Sequence, residues 1–249
     1  MKELVVHYQQ LSTNSWPPKL IIPLNGWQIR ISEGVTMRAN SVSTLFYYGK
    51  NLKKDLENVE NIYRKNSLPI IFQLADNYQP ANLYEFLIKN GYKEIDETIV
   101  MSASIEDIVD ILINSSFNYI SSETILDKWI EAFKSIRSEN IARIEGIKKI
   151  LKRLTAPKPC FYIVEDKKPI AVGLTVTEKE FMVIYNMYTH PDYRRQGIAK
   201  TILAKMTERG KVKGVKYIYL QVEEDNIEAI NLYLKIGMKE IYKYRYLIK

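Results

Sequence analysis

The stretch from residue 181 to residue 209 constrains this chain more than any other. Residues 181–189 read as an apolar strand and 199–209 as a helix, with Arg194-Arg195-Gln196-Gly197-Ile198-Ala199 between them. A strand, a glycine-bearing turn and a helix in that order aim a row of backbone N–H groups at one point. The first N–H groups of a helix have no partner inside it, and the helix dipole adds partial positive charge there. Such a terminus receives an anion, most often a phosphate. Gly197 allows close backbone approach, and Arg194, Arg195 and Lys200 add formal charge.

The spacing is not that of a Walker loop, G-x-x-x-x-G-K-[ST], nor of the dinucleotide fingerprint G-x-G-x-x-G. It is [QR]-x-x-G-x-[GA], with Arg194, Gly197 and Ala199 in the fixed places. Downstream, 226–238 reads N-x-x-A-x-x-L-Y-x-x-x-G-[FM], with Asn226, Ala229, Leu232, Tyr233, Gly237 and Met238. Helix 199–209, a turn at Gly210 and a strand over 215–222 separate the two. Upstream stands Met187-Tyr188-Thr189-His190-Pro191. Together these motifs, over residues 120–249, resemble the GCN5-related N-acetyltransferases (GNAT).

The 249 residues suffice for one large domain or two small ones. No apolar run approaches the ~20 residues of a membrane helix, and the N-terminus lacks a secretory apolar region. A single cysteine, Cys160, excludes an internal disulfide. These features place the chain in the cytoplasm. The net charge of +7 is scattered, without a basic arm or cationic helix stripe, so nucleic acid is not an expected partner. One Cys and two His, His7 and His190, cannot make a tetrahedral zinc site. Cys160 opens an apolar strand and reads as packing, not as a nucleophile.

The expected class is α/β with a mixed sheet. In the second half, Ile125, Leu126, Trp129, Ile130 and Phe133 share one helix face, and Ile141, Ile144, Ile147, Ile150, Leu151 and Leu154 another. Pro157 and Pro159 stop helical structure. Strands follow at 160–165, 170–177 and 181–189, and the last at 242–248, giving α-α-β-β-β-α-β-α-β. In the first half, 26–31 and 35–42 read as strands around a turn at 32–34. A helix over 52–63, a strand over 68–74, a helix over 81–89 closed by Asn90-Gly91 and a strand over 95–101 follow. Residues 83–92 echo 229–238, which suggests a diverged internal repeat. The echo puts Leu87 where Tyr233 stands, and the first half has no [QR]-x-x-G-x-[GA] run. The cluster Gly26-Trp27, Arg30, Gly34 and Arg38-Ala39-Asn40-Ser41 reads as a strand pair with buried polar anchors, or as a wall of an acceptor pocket.

The resemblance implies a GNAT fold over residues 104–249 and a smaller, degenerate GNAT-like domain over 1–103. It implies an N-acetyltransferase that moves the acetyl group of acetyl-coenzyme A to a primary amine, on a small molecule or a protein, by direct attack in a ternary complex. Met187, Tyr188 and Thr189 would pair with the pantetheine arm. Arg194, Arg195, Gln196, Gly197, Ile198, Ala199 and Lys200 would hold the pyrophosphate. Asn226 would line the cofactor channel, and Tyr233 would protonate the leaving thiolate. No metal is implied, and the chain would act as a monomer or homodimer. A general base must take the amine proton. Glu178, Glu180, Glu223, Glu224, Asn186 and Tyr188 stand near the relevant strands without singling one out. The absence of an obvious base leaves a non-catalytic acyl-coenzyme A sensor as the alternative.

Overall fold

The computed structural model describes residues 2–109, 118–122, 126–137 and 140–249. The chain runs α1 (Lys2–Ser15), β1 (Leu20–Leu24), β2 (Trp27–Ile31), β3 (Val42–Ser43), α2 (Leu52–Lys65), β4 (Ile71–Ala75), α3 (Leu83–Lys89) and β5 (Lys93–Ser104). It continues with β6 (Asn118–Ser122), α4 (Leu126–Arg137), α5 (Ile141–Arg153), β7 (Cys160–Glu165), β8 (Lys168–Glu178) and β9 (Phe181–Thr189). Last come α6 (Ile198–Val212), β10 (Tyr217–Glu223), α7 (Ile227–Lys235) and β11 (Lys239–Ile248). Of the helix-face residues named from sequence, Ile125 lies outside the described residues.

Two compact units emerge. The first holds Met1–Val100, Glu223–Asp225 and Ile241–Lys249; the second holds Met101–Val222 and Asn226–Glu240. The closing strand is thus counted with the first unit, where Tyr244–Ile248 pairs antiparallel with Ile71–Ala75. The strand order in the first unit is β1-β2-β3-β4-β11-β5, and in the second β5-β10-β9-β8-β7-β6, with β5 divided between them.

The core of the first unit follows from alternation on β2 and β4. Trp27, Ile29 and Ile31 share a face with Phe72 and Leu74, and α2 and α3 cover it with Leu56, Val59, Tyr63, Leu83 and Leu87. The rings of Trp27 and Phe72 meet edge to face at 5.6 Å, as do Phe72 and Tyr92 at 5.5 Å. Truncating a ring in such a cluster costs roughly 3–5 kcal/mol.

The suggested repeat has a structural counterpart. β3, α2, β4, α3 and β5 follow the order of β9, α6, β10, α7 and β11, and both β3–β4 and β9–β10 are parallel. α3 and α7 end alike. Tyr92 N–H reaches the Leu87 carbonyl and Gly91 N–H that of Ile88; Met238 N–H reaches Tyr233 and Gly237 N–H reaches Leu234. These are paired Schellman closures, with Gly91 at φ 86° and Gly237 at φ 98°. The helix starts differ. At α2 the Asn51 side chain accepts the Lys54 N–H at 3.0 Å, whereas the cap of α6 is Gly197, with no side-chain bond. The terminus that could receive an anion is therefore already engaged in the first unit and bare in the second.

Three local readings are corrected. Residues 35–42 are mostly not strand. The Asn40 carbonyl oxygen accepts from Ser32 N–H (2.8 Å) and Gly34 N–H (3.2 Å), and its amide donates to the Thr36 carbonyl, so the segment closes into a loop with a 3-10 turn. Gly210 is no turn; it lies inside α6, where a Cβ would stand 2.9 Å from Ile105 Cδ1, and the chain turns at Gly214 with φ 76°. α1, β1 and β6 have no counterpart in the sequence reading. α1 buries Gln9, Ser12 and Ser15 beside Val5, Tyr8 and Leu11, so its buried face carries no clean apolar stripe.

Candidate active site

All site residues described here lie in the second unit. The register of β8 against β9 slips by one residue: Leu174 faces Tyr185, but Val172 faces Tyr188. The extra residue is taken up in a β-bulge where Asn186 adopts a left-handed φ of 51°. Opposite it sits Gly173, where a Cβ would lie 2.6 Å from Met187 Sδ and 2.5 Å from Met206 Cε. Past the bulge β9 parts from β10. Their parallel register joins Phe181–Ile184 to Tyr217–Leu220 and goes no further. Among the described residues, 187–189 thus keep β8 on one side and no strand on the other. His190 N–H donates to the Ile170 carbonyl at 2.8 Å. Alternate residues of an antiparallel strand bond the same neighbour, so the Thr189 N–H turns toward the vacated side.

The loop that follows is held open by backbone geometry. Pro191–Tyr193 makes a 3-10 turn, capped by His190, whose Nδ1 accepts from Asp192 N–H at 3.4 Å. Arg195 (φ 63°) and Gly197 (φ 78°) are both left-handed. The bond from Thr201 N–H to the Gly197 carbonyl (2.9 Å) closes the first turn of α6. The N–H groups of Ile198, Ala199 and Lys200 therefore have no helical partner. A Cβ built on Gly197 meets nothing within 4 Å, so the space in front of this terminus is open.

A cleft of about 580 Å³ lies against these elements. Met187, Tyr188, Thr189, Arg194, Arg195, Gly197, Ile198, Ala199, Lys200, Asn226 and Tyr233 line it. Gln196 does not; its Nε2 donates to the Asp192 carbonyl at 3.3 Å. Asn226 caps α7, its side chain accepting the Ala229 N–H at 3.2 Å, which fixes the helix that carries Tyr233. Tyr233 is 7% exposed, and its hydroxyl has no protein partner among the described residues. Burial pushes its pKa up to about 12, so the phenol keeps its proton at neutral pH. The ring of Tyr188 lies under two guanidiniums, Arg137 at 5.1 Å and Arg194 at 5.8 Å.

Glu228 is a lining residue missed from the sequence, where it reads only as an ordinary first-turn acid of a helix. It meets Arg195 at 3.4 Å, with side chains 70% and 89% exposed, a pair that solvent leaves weak. The other carboxylates are elsewhere. Glu180 is paired with Lys216 at 2.9 Å. Glu178 and Glu180 stand at the far end of β9, about 25 Å from Thr189 at ~3.3 Å per residue. Glu224 is bound to Lys243 at 2.5 Å in the first unit. Asn186 Nδ2 is buried without a partner. Cys160 is fully buried on β7, and burial pushes its thiol up to about 12, which leaves it unreactive. Among the described residues no three potential ligands could share a metal ion, and no helix is long and apolar enough to cross a membrane.

Residues 123–238 match the Acetyltransferase (GNAT) family. That segment, a little under half of the chain, is what makes it similar to the GNAT acetyltransferases. It is an acyltransferase, and its relatives are named as acetyl-transferring enzymes. The uncharacterized N-acetyltransferase YobR of Bacillus subtilis (strain 168) is 28% identical over 242 residues, 97% of each chain. The [Ribosomal protein bS18]-alanine N-acetyltransferase of Escherichia coli (strain K12) is 29% identical over 80 residues, 32% of this chain and 54% of that enzyme. Among solved structures, a GCN5-related N-acetyltransferase from Kribbella flavida aligns with a TM-score of 0.72 at 13% identity, covering 98% of this chain and 94% of the other. A tandem GNAT protein from the clavulanic acid biosynthesis pathway aligns at 0.65 and 8% identity, covering 97% and 86%. These two likenesses establish the GNAT fold along the length of the chain.

Proposed function

We propose that the cleft binds acetyl-coenzyme A and that the protein transfers its acetyl group to a primary amine while both are bound. The observation that carries this reading is the bare, left-handed start of α6, facing open space in the cleft that Tyr233 and the free edge of β9 also line. The N–H groups of Ile198, Ala199 and Lys200, with Arg194 and Arg195, would hold the two phosphates of the cofactor. The unpaired edge at 187–189 would take the pantetheine amides as an added strand does, by main-chain bonds. Bound there, the thioester supplies an activated acyl carbon. A backbone N–H of β9 would donate to the carbonyl oxygen as charge develops on it. Tyr233, protonated at working pH, would donate its proton to the departing sulfur. No cleft carboxylate other than Glu228 presents itself as a base, and Glu228 lies beside Arg195 at the loop; water would take the amine proton.

The acceptor is an amine of a small molecule or of a protein. The E. coli relative acts on an alanine of ribosomal protein bS18, which makes a protein N-terminal amine one class to test. Residues 104–249 would carry the transfer and 1–103 would be the degenerate partner; neither nucleic acid nor membrane enters this reading. Calorimetric titration with acetyl-coenzyme A, against adenosine diphosphate as comparison, tests it. One-to-one binding that requires the pantetheine arm, followed by amine-dependent thiol release, is expected. Absence of binding would overturn the cofactor assignment.

A further inference from the structure

The first unit holds a cavity of about 280 Å³ that acetyl transfer leaves unused. It lies where two parallel strands part. β3 and β4 are in register at Val42–Phe72 and Ser43–Gln73 and no further. In the repeat this matches the parting of β9 from β10, beside which the cleft of the second unit lies. The chain leaving β3 supplies Leu45 and Phe46, and the chain leaving β4 supplies Asn77 and Gln79. α1 adds Val6 from above. By the same repeat, the terminus that would receive an anion is the one Asn51 already caps, which disfavours a phosphate-bearing occupant.

The polar groups that strands β3 and β4 bring to the cavity are amides. Asn77 Oδ1 is buried without a hydrogen-bond partner. The other end of that amide, Nδ2, lies 3.5 Å from the carbonyl of Lys2, itself a lining residue. Gln79 is fixed in three places. Its N–H donates to the Thr44 carbonyl at 2.7 Å, its carbonyl accepts from Trp27 Nε1 at 2.9 Å, and its Oε1 accepts the Tyr47 N–H at 3.3 Å. With Oε1 engaged, the side chain has Nε2 to offer, a donor. Lys2 and Glu3 bring opposite charges to the wall, so their sum selects neither an anion nor a cation. A buried acceptor without a partner is costly, and it points to a group that the chain itself does not supply. An acceptor and a donor on one largely apolar wall suit the N–H and the C=O of a single amide.

We propose that this cavity binds a small uncharged secondary amide. Its N–H is donated to Asn77 Oδ1, its carbonyl oxygen accepts from Gln79 Nε2, and its alkyl groups rest on Val6, Leu45 and Phe46. A few placed polar groups in an apolar hollow are the usual make-up of a small-molecule site. The site is independent of the acetyl-coenzyme A reading, since none of these residues lines the cleft beside α6.

The test is titration of the full chain with N-butylacetamide, followed by the indole N–H resonance of Trp27 in heteronuclear NMR. That N–H is bonded to the Gln79 carbonyl, so it reports on the cavity wall. n-Butanol and n-butylammonium serve as comparisons. The resonance should move saturably with the amide, at concentrations at least tenfold lower than with either comparison. Asn77→Leu deletes the acceptor at similar volume. It should weaken amide binding at least tenfold and raise the thermal midpoint of the ligand-free chain, because a buried unpaired oxygen is gone. Gly197→Val should keep the response. No saturable shift in the native chain would overturn the proposal, and so would an equal response to either comparison. An unchanged response in Asn77→Leu would do the same, as would one lost in Gly197→Val, which would move the binding to the cleft. Should Asn77→Leu fail to fold, Val6→Phe decides, since it fills the cavity from α1 and must abolish the shift.

Discussion

Replacing Gly197 by valine separates the cofactor contact from the fold. The new Cβ meets no protein atom, but it stands in the space before the α6 terminus, and the left-handed φ of 78° adds strain of roughly 1–3 kcal/mol. Acetyl-coenzyme A affinity measured by calorimetry should fall at least about tenfold, ~1.4 kcal/mol, while circular dichroism stays native. Unchanged affinity would remove the loop from the site. Tyr233→Phe asks about the proton. It should bind the cofactor nearly as well and turn over about 10²-fold more slowly; equal rates at every pH would exclude Tyr233. At this scale the sequence was informative. Every loop residue named from the motif except Gln196 lines the cleft, because the motif encodes contacts within a few residues of one another. Glu228 escaped notice because an acid in the first turn of a helix is ordinary.

Among elements, the caps of α2 and α7 make a matched pair. Asn226→Ala removes the bond to Ala229 N–H and should cost about 1 kcal/mol. Because α7 has nine residues and carries Tyr233, turnover should drop along with the melting temperature. Asn51→Ala should cost a similar ~1 kcal/mol in α2 and leave acetyl-coenzyme A binding untouched. Equal loss of binding in both variants would contradict the assignment of the cofactor to the second unit. Most elements could be read from periodicity and punctuation: β7 and β9 stand where the apolar runs do, and α3 ends at Gly91 as expected. α1 and the loop of Asn40 could not. The loop is held by the Asn40 side chain bonding Ser32, Gly34 and Thr36, and α1 buries Gln9, Ser12 and Ser15; polar side chains in such places carry no periodic signal.

For the whole molecule, the tyrosines set the alkaline limit. Burial raises Tyr233 to about 12; burial and Asp55 raise Tyr47 to about 12, and Tyr63, Tyr92 and Tyr246 are raised as well, burial leading in each. Unfolded tyrosines titrate near 10. The folded state holds these protons more tightly, so their contribution is complete below about pH 10 and is lost as pH rises through 10 to 12. Phenolate absorbance and circular dichroism should change together over that range. Independent titration near pH 10 with the fold intact would refute this. Removing Ile241–Lys249 should unfold the first unit, since it withdraws the strand paired with β4 and the core residue Leu247. Limited proteolysis would show cleavage spreading through residues 1–100; protection equal to that of the full chain would refute it.

What the sequence determined by itself was local: the glycine closures of α3 and α7, the anion-receptive start of α6, and the frame that puts Tyr233 on the helix capped by Asn226. Those features rest on bonds spanning three to five residues, and the chain spells them out. Tertiary structure alone decided the rest. It placed the last strand beside β4, cut β9 loose from β10 after Ile184, and buried Arg30 against Ser41 and Gln73. Each of these depends on partners dozens to hundreds of residues away, chosen by the burial of whole faces at once, and no window of sequence contains that sum.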